Sequence, residues 1–197
     1  VEENLFRFKK FLDNEQFAVR LPVYADVDAA FNNADHECML EKMVEYGIDQ
    51  KSLNLMKDYF SNRFNCIEIN GQIEKRPNYI GCYQGTALSS FLWNLVMQAI
   101  KERIYEIERI SIIDTEVEII SYIDDLALLI STNRRFGYMS VVPVVKRFLQ
   151  VMKELKLNIS INKTHYQQFG PKRLFTLSSM PISITMDDET FEIHFCS

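Results

Sequence analysis

Two adjacent acids interrupt the most apolar stretch of the chain, Ile119-Ile120-Ser121-Tyr122-Ile123-Asp124-Asp125-Leu126-Ala127-Leu128-Leu129-Ile130. Neighbouring strand residues point to opposite faces, but at a tight turn both carboxylates can project from the tip. Two anions held together repel unless a cation joins them. Mg²⁺ suits that role, because it prefers hard carboxylate oxygens and keeps phosphate as a further ligand. Asp is also a common turn residue, so a hairpin tip alone accounts for the pair. Asp26 has a similar setting at the end of the apolar strand Leu21 to Ala25, where a cap or turn is the competing role and Asp28 competes for it. The third segment is Gly81-Cys82-Tyr83-Gln84-Gly85-Thr86-Ala87-Leu88-Ser89-Ser90, a loop ahead of a long helical pattern. Its small residues let backbone N–H groups approach a ligand, and a helix N-terminus favours an anion. A glycine loop closed by a Ser or Thr cap is the plainer account.

The elements that position these residues follow from periodicity. Val1 to Phe17 has a helical rhythm through Leu5, Phe8 and Leu12. Asp35 caps a helix from His36 that Gly47 stops, and a second helix runs from Lys51 to Phe60. Phe64 to Glu74 contains Asn70-Gly71, the strongest short hairpin signal. Leu88 to Tyr105 is a long helix, and Glu116 to Ser131 reads strand-turn-strand about Asp124-Asp125. Tyr138 to Leu155 is amphipathic and begins raggedly around Pro143. Leu157 to Phe169 reads as extended, and Ile182 to Phe195 as a last hairpin about Asp187-Asp188. The irregular alternation predicts an α+β fold, a sheet with helices on one face. No dinucleotide or P-loop fingerprint occurs.

Composition sets bounds on function. The 197 residues are 47% hydrophobic and 25% charged, with 6 Gly and 5 Pro, so the chain can bury a core and is not a linker. No run of 18 apolar residues exists, which argues against a membrane-spanning helix. The first residues, Val1-Glu2-Glu3-Asn4, lack Met and do not read as a leader peptide; the chain looks cut from something longer. A net charge of −5 means that any electrostatic grip on nucleic acid must lie mostly elsewhere. Cys38, Cys66, Cys82 and Cys196 form no C-x-x-C and no zinc spacing with His36, His165 or His194, and free thiols fit a reducing compartment.

Taken in order, the segments resemble the reverse transcriptases, most closely those of non-LTR retrotransposons. Asp26 to His36 (DVDAAFNNADH) looks like the first palm motif. Gly81 to Asn94 (GCYQGTALSSFLWN) looks like the second, usually G-x-P-Q-G-x-x-L-S-P. Tyr122 to Asp125 (YIDD) looks like the third, Y-x-D-D, and Leu157 to Thr164 (LNISINKT) like the fourth, usually opened by Gly. Leu40-Glu41-Lys42-Met43 and Tyr46-Gly47-Ile48 match the connecting helix, and the resemblance spans Val19 to Phe195. There are departures. Tyr83 and Ser90 replace prolines, Ile123 stands for Ala, and Lys156 for the opening Gly.

The resemblance implies a right-hand polymerase palm, a small antiparallel sheet backed by helices. It implies RNA-directed DNA polymerase activity with an RNA template, a DNA primer and dNTP. Asp26, Asp124 and Asp125 would hold two Mg²⁺ ions, with Mn²⁺ a possible substitute, and the backbone carbonyl of Val27 is a further candidate ligand. Asp26 and Asp124 rank first, with Asp125 third. Phe31 would lie under the nucleotide sugar and exclude a 2′-hydroxyl, although a Phe in that pattern is otherwise a core residue. Gln84 would contact the nucleotide, and Gly85 would let backbone pass close to it. Lys163 would approach the phosphates and protonate pyrophosphate, with an exposed strand-end lysine the alternative. Residues 1–197 would be a partial domain, a palm with part of the fingers. Most of the fingers, the thumb and any endonuclease or ribonuclease H would lie in the remainder of a polyprotein. The isolated piece is expected to be weakly active or inactive, at a nuclear or cytoplasmic location.

Other tempting residues read more simply. Asp187-Asp188-Glu189 suggests a solvated turn, Arg134-Arg135 and Lys172-Arg173 a wet surface, and Trp93 core. Cys82 has no base beside it in sequence to make it a nucleophile. The competing function is a decayed or domesticated palm that serves as a nucleic-acid or protein scaffold. A nucleotide cyclase lacks its G-G-D-E-F-like turn here, and an aspartic protease lacks its D-[ST]-G.

Overall fold

The computed structural model describes residues 2–106, 115–133, 137–170 and 181–196. In chain order the elements are α1 (Glu2–Leu12), β1 (Val19–Asp26), α2 (Ala30–Asn33), α3 (His36–Glu45), α4 (Gln50–Ser61), β2 (Phe64–Ile69) and β3 (Gln72–Pro77). Then come α5 (Ala87–Tyr105), β4 (Thr115–Tyr122), β5 (Asp125–Thr132), α6 (Gly137–Glu154), a 3-10 turn (Ile161–Lys163), β6 (His165–Tyr166), β7 (Ile182–Met186) and β8 (Glu189–Phe195). They form two compact units, residues 1–28 with 100–197, and residues 29–99.

The first unit is built on a six-stranded sheet in the order β4-β5-β1-β6-β8-β7. Every pairing is antiparallel except β6 with β8. Alternation along the strands separates two faces. Leu21, Val23, Ile119, Leu128 and Ile130 share one face and are buried. On the other face Phe8, Phe11 and Leu12 of α1 pack on Tyr24, Ile120, Ala127 and Leu129. α6 contacts β5 and β7. Its Val144, Val145, Phe148, Val151 and Met152 are buried, as a 3.6-residue apolar stripe requires. This is the α+β arrangement that the periodicity implied, with α1 added across the second face.

Three boundaries differ from the sequence pattern. α1 stops at Leu12, because the Asn14 side chain accepts from the Gln16 N–H and turns the chain. α6 starts at Gly137, so Pro143 sits in its second turn, where the missing N–H costs one helical bond. The stretch from Leu157 to Phe169 is extended only in part. Lys163 N–H donates to the Ser160 carbonyl and the Thr164 hydroxyl donates to the same oxygen, which folds Ile161–Lys163 into a turn and leaves β6 two residues long. Local bonding by Ser, Asn and Thr overrides the β-branched pattern there.

The second unit contains α2, α3, α4, the β2–β3 hairpin and most of α5. Asp35 accepts from the Glu37 N–H at the start of α3, and Asp49 caps α4 through the N–H groups of Lys51 and Ser52. Gly47, at φ +71°, closes α3 with bonds from Gly47 to Val44 and from Ile48 to Met43. Asn70 and Gly71 both have positive φ, the type I′ turn that Asn-Gly favours, and all twelve residues of β2 and β3 are exposed. Trp93 is buried on α5. Among the described residues no helix is long and apolar enough to cross a membrane.

Candidate active site

The β1–β5 ladder places Asp26 directly opposite Asp125, and the β4–β5 ladder places Tyr122 opposite Asp125. Cross-strand partners share a face, so Tyr122, Asp125 and Asp26 form one row across three strands. The next row on that face is Ile120, Ala127 and Tyr24, which α1 covers. The acids thus sit at the end of this face, beyond the apolar packing of α1. Asn4 of α1 reaches the neighbouring backbone, donating to the Ser121 carbonyl at 2.6 Å. A cavity of about 390 Å³ opens there, with Tyr24, Asp26, Tyr122, Asp125 and Lys163 in its wall.

Asp124 occupies the two-residue turn Ile123-Asp124 between the paired Tyr122 and Asp125. Ile123 has φ +57°, while Asp124 is not left-handed. A positive φ at the first central residue alone is the type II′ pattern, which favours Gly at that place.

Lys163 reaches this row from the 3-10 turn. The segment before it is tied to the end of β1 by Ser160 N–H to the Asp26 carbonyl at 3.0 Å and Asp28 N–H to the Asn158 carbonyl at 2.9 Å. These two bonds flank the Val27–Ile159 bridge and use neither the N–H nor the carbonyl of Val27. The Lys163 Nζ lies 2.9 Å from the Asp26 Oδ2. That hydrogen bond, then the charge of Asp26, and further the charges of Asp28 and Asp124, push the Lys163 amino group above its ordinary value. A lysine is charged at neutral pH in any case, and these neighbours hold its proton more firmly.

The first unit brings Asp26, Val27, Asp124, Asp125 and Lys163 to one end of the sheet. Among the described residues no group of three or more His, Cys, Asp and Glu is arranged to hold a metal ion. The donor chemistry nevertheless fits a hard divalent cation, with carboxylate oxygens beside a main-chain carbonyl. A positive charge already rests on Asp26, supplied by Lys163.

The remaining sequence candidates, Phe31, Gln84 and Gly85, belong to the second unit. Phe31 is half-buried against Trp93, with ring centroids 5.8 Å apart. Gln84 and Gly85 are exposed at the tip of the loop before α5. Thr86 caps α5 by accepting from the Ser89 N–H at 3.1 Å. Gly81 is required twice over. Its φ is +79°, and a Cβ there would fall 2.4 Å from the Asn32 carbonyl oxygen.

Two residues at the base of this loop were not evident from local patterns. Arg63 donates to the Gly81 carbonyl at 2.5 Å, and His36 Nε2 lies 2.7 Å from the same oxygen. Burial pushes the His36 imidazole below its usual value, and its hydrogen bond to Gly81 opposes this. Asp187 forms an exposed ion pair with Lys153. Arg134-Arg135 and Lys172-Arg173 lie outside the described residues.

Comparison with known proteins gives these arrangements a family. The sequence profile described as "Reverse transcriptase (RNA-dependent DNA polymerase)" matches residues 2–184. The chain is 26% identical over 115 residues to the "Putative 115 kDa protein in type-1 retrotransposable element R1DM" of Drosophila melanogaster. That match covers 58% of the chain and 10% of the fly protein, so the chain spans about a tenth of this relative's length. Apo telomerase from Candida tropicalis, truncated from its C-terminal domain, superposes with a TM-score of 0.64 at 11% identity, over 98% of this chain and 38% of that one. Telomerase from Candida albicans, in complex with a fragment of telomeric RNA, gives 0.61 at 11% identity, over 84% and 30%. At that identity the telomerases share the fold alone. The chain belongs to the reverse transcriptase family.

Proposed function

We propose that this domain carries the catalytic palm of an RNA-directed DNA polymerase, which transfers a nucleotide from dNTP to a primer 3′-hydroxyl on an RNA template. The observation that carries the reading is the register pairing of Asp26 with Asp125, one residue from Asp124, beside a protonated lysine. Asp26 and Asp124 are the principal holders of two Mg²⁺ ions, Asp125 the third, and the Val27 carbonyl a further ligand. Such ions, when bound, lower the pKa of the 3′-hydroxyl and neutralise the triphosphate. Lys163 holds a proton that it can give to the departing pyrophosphate. In-line displacement leaves the protein mostly positioning to do. Phe31 excludes a 2′-hydroxyl by its bulk, and Gln84 and Gly85 contact the nucleotide. The chain would be a palm with part of the fingers, the rest of the fingers and the thumb being supplied by other segments of a longer polypeptide.

Primer extension on poly(rA)·oligo(dT), with Mg²⁺ and then Mn²⁺, tests this. The chain is compared with any longer polypeptide that carries it and with an Asp124→Ala, Asp125→Ala variant. Extension that disappears in the variant supports the polymerase. No extension from the longer polypeptide, folded and template-binding, supports a second reading, a palm retained as a scaffold. The departures at Tyr83, Ser90 and Lys156 give that reading its room.

A further inference from the structure

Arg63 holds a full charge inside the second unit. It is 6% exposed, its Nε has no hydrogen-bond partner, and its described contacts are a carbonyl and two rings, none of them a carboxylate. Burying a guanidinium without an acid is costly, so its geometry needs a reason. Its Nη1 donates to the Gly81 carbonyl, and its Cζ lies over the Tyr83 ring, 4.2 Å from the centroid, and over the Tyr59 ring at 5.3 Å. The Gly81 carbonyl also meets His36 Nε2, and His36 lies flat on Phe60 with centroids 4.1 Å apart. Gly81 N–H donates to Ala34, Cys82 N–H to Phe31, and the Ser89 hydroxyl to the Tyr83 carbonyl. Gly81 and Cys82 are thereby tied and buried, Tyr83 is held through its carbonyl and ring although half its surface is open, and Gln84 and Gly85 stay exposed at the tip.

We infer that Arg63 is the positioning residue of this loop, gripping Gly81 through Nη1 and Tyr83 by cation–π contact. The role rests on the proposed function, in which Gln84 and Gly85 meet the nucleotide. Arg63 then governs dNTP affinity without touching substrate.

Thiol labelling tests the grip without any need for catalysis. In a chain carrying Cys66→Ser and Cys196→Ser, the buried Cys38 and Cys82 remain, and both lie in the second unit. Arg63→Met is expected to raise maleimide labelling of Cys82 by about tenfold and to leave Cys38 unchanged. The Arg63 charge favours the Cys82 thiolate, so its removal alone would slow the reaction, and a faster rate reports opening. Arg63→Lys should behave like Arg63→Met, because lysine lacks the planar face and fork. Tyr83→Phe should keep the original rate, and Tyr83→Leu should raise it.

In primer extension, Arg63→Met should raise KM for dNTP by about tenfold with kcat within about twofold. Unchanged Cys82 labelling overturns the inference. A parallel rise at Cys38 overturns it too, since it makes Arg63 a packing residue. An active enzyme whose KM ignores the substitution also does so. Absence of extension from the unsubstituted longer polypeptide counts against the polymerase reading alone, because the thiol rates still decide the grip.

Discussion

Ile123 is a β-branched residue held at φ +57° in the turn that carries Asp124. A left-handed conformation costs such a residue about 1–2 kcal/mol, which the ladders on either side must offset. Ile123→Gly is expected to stabilise by about 1 kcal/mol after glycine's own chain entropy is subtracted, and Ile123→Val to give no gain. Urea midpoints at constant slope measure both. Lys156 presents the same problem at φ +58°. It is the C′ residue of α6, where Lys156 N–H bonds to Lys153 and Leu157 N–H to Met152, and Gly is the usual occupant. Lys156→Gly should therefore also stabilise by about 1 kcal/mol. At Lys163 two effects oppose each other. Lys163→Met should tighten Mn²⁺ binding by about threefold, since an ammonium no longer competes for Asp26. It should also slow primer extension by about a hundredfold by removing the proton donor. Calorimetry and single-turnover extension separate the two.

At the scale of elements, α3 and the loop it supports respond to pH through His36. Burial lowers its folded-state pKa, so the unfolded chain binds the proton more readily. Stability is complete above the unfolded value near 6.5 and falls as pH drops from there towards the lowered folded value. The urea midpoint is expected to decline as pH falls below about 6.5, and His36→Gln should flatten that slope. The β2–β3 hairpin behaves differently. All its residues are exposed, and a two-stranded ribbon is marginal without a packed face. Hydrogen exchange should find its amides far less protected than those of β5, whose residues after Asp125 are all buried. Its Asn-Gly turn was legible from two residues, as were the Asp35 cap and the Gly47 stop, because such signals are local. The short β6 was not legible, because bonds from Thr164 and Lys163 back to Ser160 competed with an apparently extended pattern.

For the molecule as a whole, charge sets the terms of binding. A net charge of −5 leaves little overall attraction for nucleic acid. The chain by itself should bind primer-template weakly, and log affinity should fall with log salt less steeply than the slope of about −5 to −9 expected for six to ten phosphate contacts on B-form DNA. Fluorescence anisotropy at several salt concentrations checks this. The match to a retroelement protein of which this chain spans only a tenth allows basic grip surface to lie in flanking sequence, which the longer polypeptide would add to the same titration.

By itself the sequence determined the fold class, the order of four motifs and the acids worth watching. Periodicity, turn residues and motif order are written along one dimension. Tertiary structure alone decided that Asp26 faces Asp125, ninety-nine residues later in the chain, because that pairing depends on strand register. It alone brought Lys163 onto Asp26 and Arg63 beneath the Gly81 loop. Such contacts arise when burial and hydrogen bonding are satisfied together across distant segments, and no local spacing encodes them.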